Sequence, residues 1–216
     1  MTTNLDNIDL DYTKEIISIG LAKSADSLSF FLNEKVYLNP FDLKFNTDNY
    51  FPLSKKSNNY NNSYLLTTSV KGDFKGKAYL IFSEQEVETI FKTNFGPVTN
   101  FDAEQRLSMI RDFLCEIDNI ITASVITQFS NLLKHNIYGD VPKLDILPST
   151  KVNEFLRENN PGELKIFYFN TRFITKKVEI SPEFIWLLDD SFFNKVNKII
   201  ADVKEKTFSS NTDHKQ

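Results

Sequence analysis

The sequence predicts an α/β protein of the α+β kind, in which a helix-plus-β-hairpin unit occurs twice and the two copies join as one pseudo-twofold domain. Three observations predict it. Residues 102–135 form a long stretch with apolar side chains at three- and four-residue steps. An order of helix, strand, hairpin and helix runs through the chain twice. Sliding the chain 101 positions along itself sets Asp11 over Asp112, Glu15 over Glu116, Ile19 over Ile120, Ala22 over Ala123, Ser29 over Ser130 and Leu32 over Leu133. Units that cannot each bury their own apolar face are stable when packed together, and 216 residues suit one such domain better than two. Long helices packed on an antiparallel-rich sheet are the expected architecture.

Taken in order, residues 1–10 read as a flexible N-terminus. Residues 12–33 read as a first helix with Ile16, Ile17, Leu21, Ala25, Leu28 and Leu32 on its buried face. A strand is expected over 35–45, with Pro40 marking an edge or a bend. The stretch 46–62, rich in Asn, Ser and Lys, reads as a surface loop, long for a compact domain. Two β-rich runs, 63–70 and 77–82, flank a glycine-containing turn and predict a hairpin. Ser83 with Glu86 is a capping box for a short helix to about Asn94, closed by Gly96 and Pro97.

The central helix carries Leu107, Ile110, Leu114, Ile117, Ile121 and Val125 as its core stripe. With Ile117 at zero and about 100° per residue, Asp112, Glu116 and Asn119 fall roughly 100° to 160° away, on the side turned from the core. A solvated helix face is the simplest account of that spacing. Residues 143–161 read as a connection holding a short helix near 152–158. Residues 164–174 and 177–188 are two β-patterned runs, and 191–206 is a terminal helix before a polar, disordered tail at 207–216. The domain is therefore expected to span 11–206, with halves of about 11–100 and 101–206. The many phenylalanines, including Phe129, Phe167, Phe169, Phe173 and Phe184, are expected in the core. Hairpins with exposed edges also invite pairing with another chain, which makes homodimerisation through an edge an expectation.

Composition narrows the function. The 25 basic and 29 acidic residues give a net charge of −4, which speaks against nucleic acid as a partner. The N-terminus lacks the pattern of a secretory signal, and no apolar stretch is long enough to span a bilayer, so a cytoplasmic address without membrane partners is the expectation. Cys115 is the single cysteine, about five helical turns from His135, and the other histidine, His214, lies in the tail. A cysteine nucleophile paired with a histidine base and a structural zinc site are both disfavoured. No nucleophile and base pair or Gly-rich phosphate loop supports a small-molecule hydrolase.

The second half contains Asp112-x3-Glu116-x2-Asn119-x22-Pro142. This pattern resembles the signature of the CheC/CheX/FliY family of chemotaxis phosphatases, which act on the phosphorylated response regulator CheY. The resemblance covers about residues 11 to 200, since the duplicated order of elements is also the family's. The first helix, EIISIGLAKSADSLSFFL, is similar to the family's E-x-x-N-I-G-x-G-x-A-x-x-x-L-S text. Ser18 stands where the family has Asn, and Pro40 falls one place short of the repeat of Pro142. The resemblance therefore implies that the first copy, Glu15 and Ser18, is a degenerate site. Ile121 replaces a frequent Gly in the second copy, whose Glu and Asn are intact, so one active site is expected, as in CheX rather than two-site CheC.

A carboxamide has one acceptor and two donors, so Asn119 can accept from an attacking water while donating toward a phosphoryl oxygen, and it adds no charge beside an anion. The resemblance implies that Glu116 pairs with the receiver's active-site lysine. Asp112, one turn earlier, is read as supporting that face or capping it, and Pro142 as shaping the strand that follows the helix. The resemblance also implies a phosphorylated CheY-like receiver as partner, with Mg2+ on the receiver and no cofactor on this chain. A CheD-like partner, known for CheC-type relatives, stays open. The alternative is a non-catalytic receiver-binding or flagellar-switch-type module of the same fold. Switch-type members usually append a further β-rich domain, and the polar tail after Lys206 makes a switch component the lesser expectation.

Overall fold

A computed structural model of the chain describes residues 7–38, 42–46, 61–96, 101–160, 165–170 and 172–212. The first half comprises α1 (Asn7–Phe31), β1 (Tyr37–Leu38), β2 (Asp42–Asn46), β3 (Asn62–Gly72), β4 (Gly76–Ser83) and α2 (Glu84–Phe95). The second comprises α3 (Ala103–Leu133), β5 (Ile137–Gly139), β6 (Lys143–Pro148), α4 (Val152–Glu158), β7 (Lys165–Asn170), β8 (Phe173–Ile174), β9 (Glu179–Ile180), β10 (Glu183–Leu188) and α5 (Asp190–Thr212). The fold is α+β, with an antiparallel main sheet.

The main sheet runs β2-β7-β10-β4-β3, and both β5 and β6 pair with the outer side of β3. The hairpin β3–β4 of the first half meets β7 and β10 of the second at the β10–β4 seam. The strand leading into each hairpin does not pair with its own hairpin. It crosses over: β2 of the first half pairs with β7, and β6 of the second pairs with β3. Each half thus supplies an edge strand to the other, and the order is symmetric about the β10–β4 seam.

The expected hairpin and the second pair of β runs are present, with differences of physical origin. Each later run breaks in two, and the pieces β8 and β9 join β1 in a separate three-stranded sheet. The expected connection at 143–161 holds the short helix α4, but its first six residues are β6. The run Lys143–Pro148 is short and ends in a proline, and no residue in it is fully buried, as fits a strand at the edge of the sheet. α1 begins earlier than Tyr12, and α5 reaches Thr212, past the expected end at Lys206. Pro40, Pro97 and most of the 46–62 loop lie outside the described residues.

The core lies between one face of the sheet and the helices. Leu66, Ala78, Leu80, Phe82, Phe167, Phe169, Phe184 and Trp186 pack beneath α1, α3 and α5. Phe129, Phe167, Phe169, Phe173 and Phe184 are all buried, as their pattern predicts. Phe169 and Phe184 are direct cross-strand partners whose rings stack at 4.7 Å. On the opposite face Leu65, Tyr79, Ile81, Ile185 and Leu187 pack with Val152 and Leu156 of α4. β10 is buried at every position, so after Glu183 it reads as a continuous apolar run, FIWLL, and shows no alternation.

α1 and α3 pack against each other. A Cβ added to Gly20 would stand 2.8 Å from the Cα of Val125, so the two helices approach backbone to backbone at this point. Helix propensity alone favours Gly20→Ala by about 1 kcal/mol, whereas forcing a methyl into a packed contact costs about 1–3 kcal/mol. The contact wins because the obstacle is backbone. Gly20→Ala is expected to lower unfolding free energy in urea by about 1 kcal/mol or more; a stabilised variant would mean the helices do not meet there.

Candidate functional site

α3 is set by its ends. Asp102 accepts from the Gln105 N–H at 2.8 Å, and the Gln105 side chain accepts from the Asp102 N–H, forming a capping box. At the other end Lys134 adopts φ 53°, and the Ser130 hydroxyl donates to the His135 carbonyl at 2.7 Å. The β3–β4 turn is tied to the same end. Asp73 accepts from the Asn136 N–H at 2.9 Å and lies 3.0 Å from His135 Nδ1. The Asn136 N–H bond first, and then His135, hold the Asp73 carboxyl below its ordinary value. Gly72, at φ +106°, has room for no side chain: an added Cβ would fall 2.0 Å from the Asn136 carbonyl oxygen.

Between those ends α3 is buried over about half its circumference. Its buried set includes Ile126, Phe129 and Leu133 as well as the stripe from Ile110 to Val125, leaving Leu107 exposed. A narrow strip faces solvent, and Asp112, Glu116 and Asn119 lie on it, all exposed.

The opposite wall comes from the edge of the sheet. β5 pairs with Val70–Gly72 and β6 with Asn62–Thr67, so the segment joining them bulges away opposite Thr68 and Ser69. The Asp140 N–H still donates to the Ser69 carbonyl at 2.9 Å, and Lys71 pairs with the Asp140 carboxylate. Pro142 has no N–H to leave unpaired at such a break. It is buried, and its carbonyl faces the Cys115 thiol at 3.7 Å.

Strip and bulge enclose a cleft of about 330 Å3 lined by Asp112, Cys115, Glu116, Asn119, Gly139, Asp140, Val141 and Pro142. The four residues of the second-half motif are therefore brought together, 23 positions of chain separating the last two. Cys115 lies among them, its thiol pushed up by burial and then by the Asp118 and Asp112 carboxylates, which keeps it a poor nucleophile. Glu15 and Ser18 of the first half lie on α1, exposed and half-buried respectively, and neither lines this cleft. Among the described residues no group of three or more His, Cys, Asp or Glu side chains could hold a metal ion, and no helix is long and apolar enough to cross a membrane.

Asp118 is the residue the periodicity does not reveal. It is completely buried; its carboxyl accepts from Thr68 Oγ1 at 2.6 Å and from Thr122 Oγ1 at 2.9 Å. The signal lay in the full buried arc: with Phe129 and Leu133 included, Asp118 falls roughly at its centre. Burial raises this carboxyl to about 6, outweighing the two hydroxyl donors. The folded state then holds the proton more tightly than the unfolded chain, so the resulting stability is full below the ordinary value of 3.8 and is lost as pH rises through about 6. The difference is on the order of 3 kcal/mol for a shift of this size. Urea unfolding at pH 4 and pH 7 should show wild type losing this stability relative to Asp118→Asn; equal losses would place the proton elsewhere.

No family model and no curated protein sequence matches the chain. Solved structures do. The chain is similar to Thermotoga maritima FliY at a TM-score of 0.66 and 17% identity, covering 94% of this chain and 99% of that one. It is similar to H. pylori FliM, in its complex with SpeE, at 0.59 and 10% identity over 90% and 97%. For Borrelia burgdorferi CheX, in a complex with CheY, BeF3 and Mg2+, the values are 0.50 and 15% over 79% and 96%. The chain has the CheC-like α+β fold seen in FliY, CheX and FliM.

Proposed function

We propose that the chain is a member of the CheC/CheX/FliY family and a phosphatase of the aspartyl phosphate on a CheY-like receiver, acting in chemotaxis signalling. The observation that carries the reading is that Glu116 and Asn119 stand exposed, three residues apart on one strip of α3, at a cleft open to a partner's surface. A site for a free metabolite would bury most of its ligand; a helix face beside a shallow cleft suits insertion into another protein's site. The CheX structure of the same fold was captured with CheY, BeF3 and Mg2+, which supports a receiver as the partner.

In this reading Glu116 docks the helix by pairing with the receiver's lysine. Asn119 accepts a hydrogen bond from water and donates to a phosphoryl oxygen, holding that water in line with phosphorus. The water oxygen bonds to phosphorus, the bond from phosphorus to the receiver's aspartyl oxygen breaks, and the carboxylate and inorganic phosphate leave. The proton lost by the water ends on the phosphate. Mg2+ belongs to the receiver and neutralises the charge there. One site, in the second half, is the CheX-like count, and Asp112 flanks it one turn before Glu116.

FliM shares the fold, so the fold alone does not separate catalysis from binding. The test is phosphate decay from a CheY-like receiver of the same organism. Wild type should accelerate it; Asn119→Ala should lose about 10²-fold or more of that acceleration while still binding. Glu116→Ala should weaken docking roughly tenfold, and Glu15→Ala should leave both unchanged. Binding to the phosphorylated receiver with unaltered decay would make the chain an interaction module instead.

A further inference from the structure

Thr68 touches both walls of the cleft. Its hydroxyl donates to the Asp118 carboxyl on α3 at 2.6 Å. Its methyl lies beside Gly139, the last residue of β5 and part of the cleft lining, where an added Cβ would fall 3.0 Å from it. Thr68 sits opposite the bulge itself, between the residues of β3 paired by β5 and those paired by β6. On the helix side, Asp118 is the residue before Asn119, and its second oxygen is held by Thr122, one turn further on. Thr68, Asp118 and Thr122 are 2%, 0% and 3% exposed.

Ordinary stability does not require this arrangement, because an apolar trio of the same volume would pack α3 on β3 without desolvating a carboxyl. What it adds is direction. Apolar packing tolerates small rotations of a helix, while a short hydrogen bond between a strand and a helix admits one rotation and one axial register. We propose that Thr68 and Asp118 are positioning residues: their hydrogen bond fixes the rotation of α3 against β3 and so aims Asn119 into the cleft. The inference deepens the phosphatase reading and rests on it for its catalytic consequence. Its geometric consequence stands alone and is readable without a receiver, because the only cysteine, Cys115, lines the cleft.

The experiment compares wild type with Thr68→Val, which keeps the shape and removes the donor, and Thr68→Ser, which keeps the donor. Thr68→Ala serves where the valine variant does not fold. Each full-length variant, held well below its melting temperature, is assayed for turnover of acetyl-phosphate-labelled receiver and for the rate at which Cys115 reacts with a disulfide reagent. In Thr68→Val, kcat should fall about tenfold or more with KM within about twofold, since misplacement of the water-positioning group acts on the reacting geometry. The Cys115 rate should shift several-fold, and Thr68→Ser should restore both. Wild-type kcat and Cys115 reactivity in Thr68→Val, whatever its melting temperature, would overturn the proposal. Were wild type inactive on receivers, the phosphatase reading alone would fall, and the Cys115 rates would still decide the positioning role: a shift reversed by serine supports it, and no shift overturns it.

Discussion

The exchange of edge strands governs the rest of the molecule. Each half hands its leading strand to the other half's hairpin, β2 to β7 and β6 to β3, so neither half closes a sheet alone. The β10–β4 seam then brings α1 and α3 side by side over one continuous face, and the chain solves the crowding with a glycine at the contact, Gly20 against Val125. A helix held between a neighbouring helix and a sheet is buried over half its surface, which leaves a narrow polar strip. That constraint places Asp112, Glu116 and Asn119 where they are.

The same exchange builds the second wall. Because β5 and β6 share β3 as partner, the chain between them must leave the sheet and return, and the resulting bulge carries Asp140, Val141 and Pro142 beside the strip. A carboxylate, a carboxamide and an exposed apolar residue, Val141 at 81% exposure, then converge at an open mouth. The lining holds no histidine, and its one thiol, Cys115, is pushed up by burial and by neighbouring carboxylates, so the side chains that face the mouth are suited to docking and to positioning a water. A reaction whose leaving group and metal come with the partner requires no more than that.

Much of this was legible in the sequence, for identifiable reasons. The period of α3, the capping box at Ser83 and the hairpin turn are local signals, and local signals survive in a single chain. The motif and the internal repeat together pointed to the fold and to the strip. Strand exchange was invisible because pairing partners are non-local. β6 gives a weak local signal because it is a short edge strand ending at Pro148, and the break of the later β runs into β7–β8 and β9–β10 depends on a second small sheet. Asp118 escaped because an acid inside a helix reads as a surface residue until Thr68, fifty positions earlier, is seen beside it.

Whether the α3 strip and the β5–β6 bulge form the face that meets a receiver is decided by an NMR titration of the 15N-labelled chain with a beryllofluoride-activated CheY-like receiver. If they do, amide shifts concentrate at residues 112–119 and 139–142 and vanish when the receiver is unactivated and weakly bound. Shifts confined to the exposed face of α1 around Glu15 and Ile19, or to α4 on the opposite side of the sheet, would show that they do not.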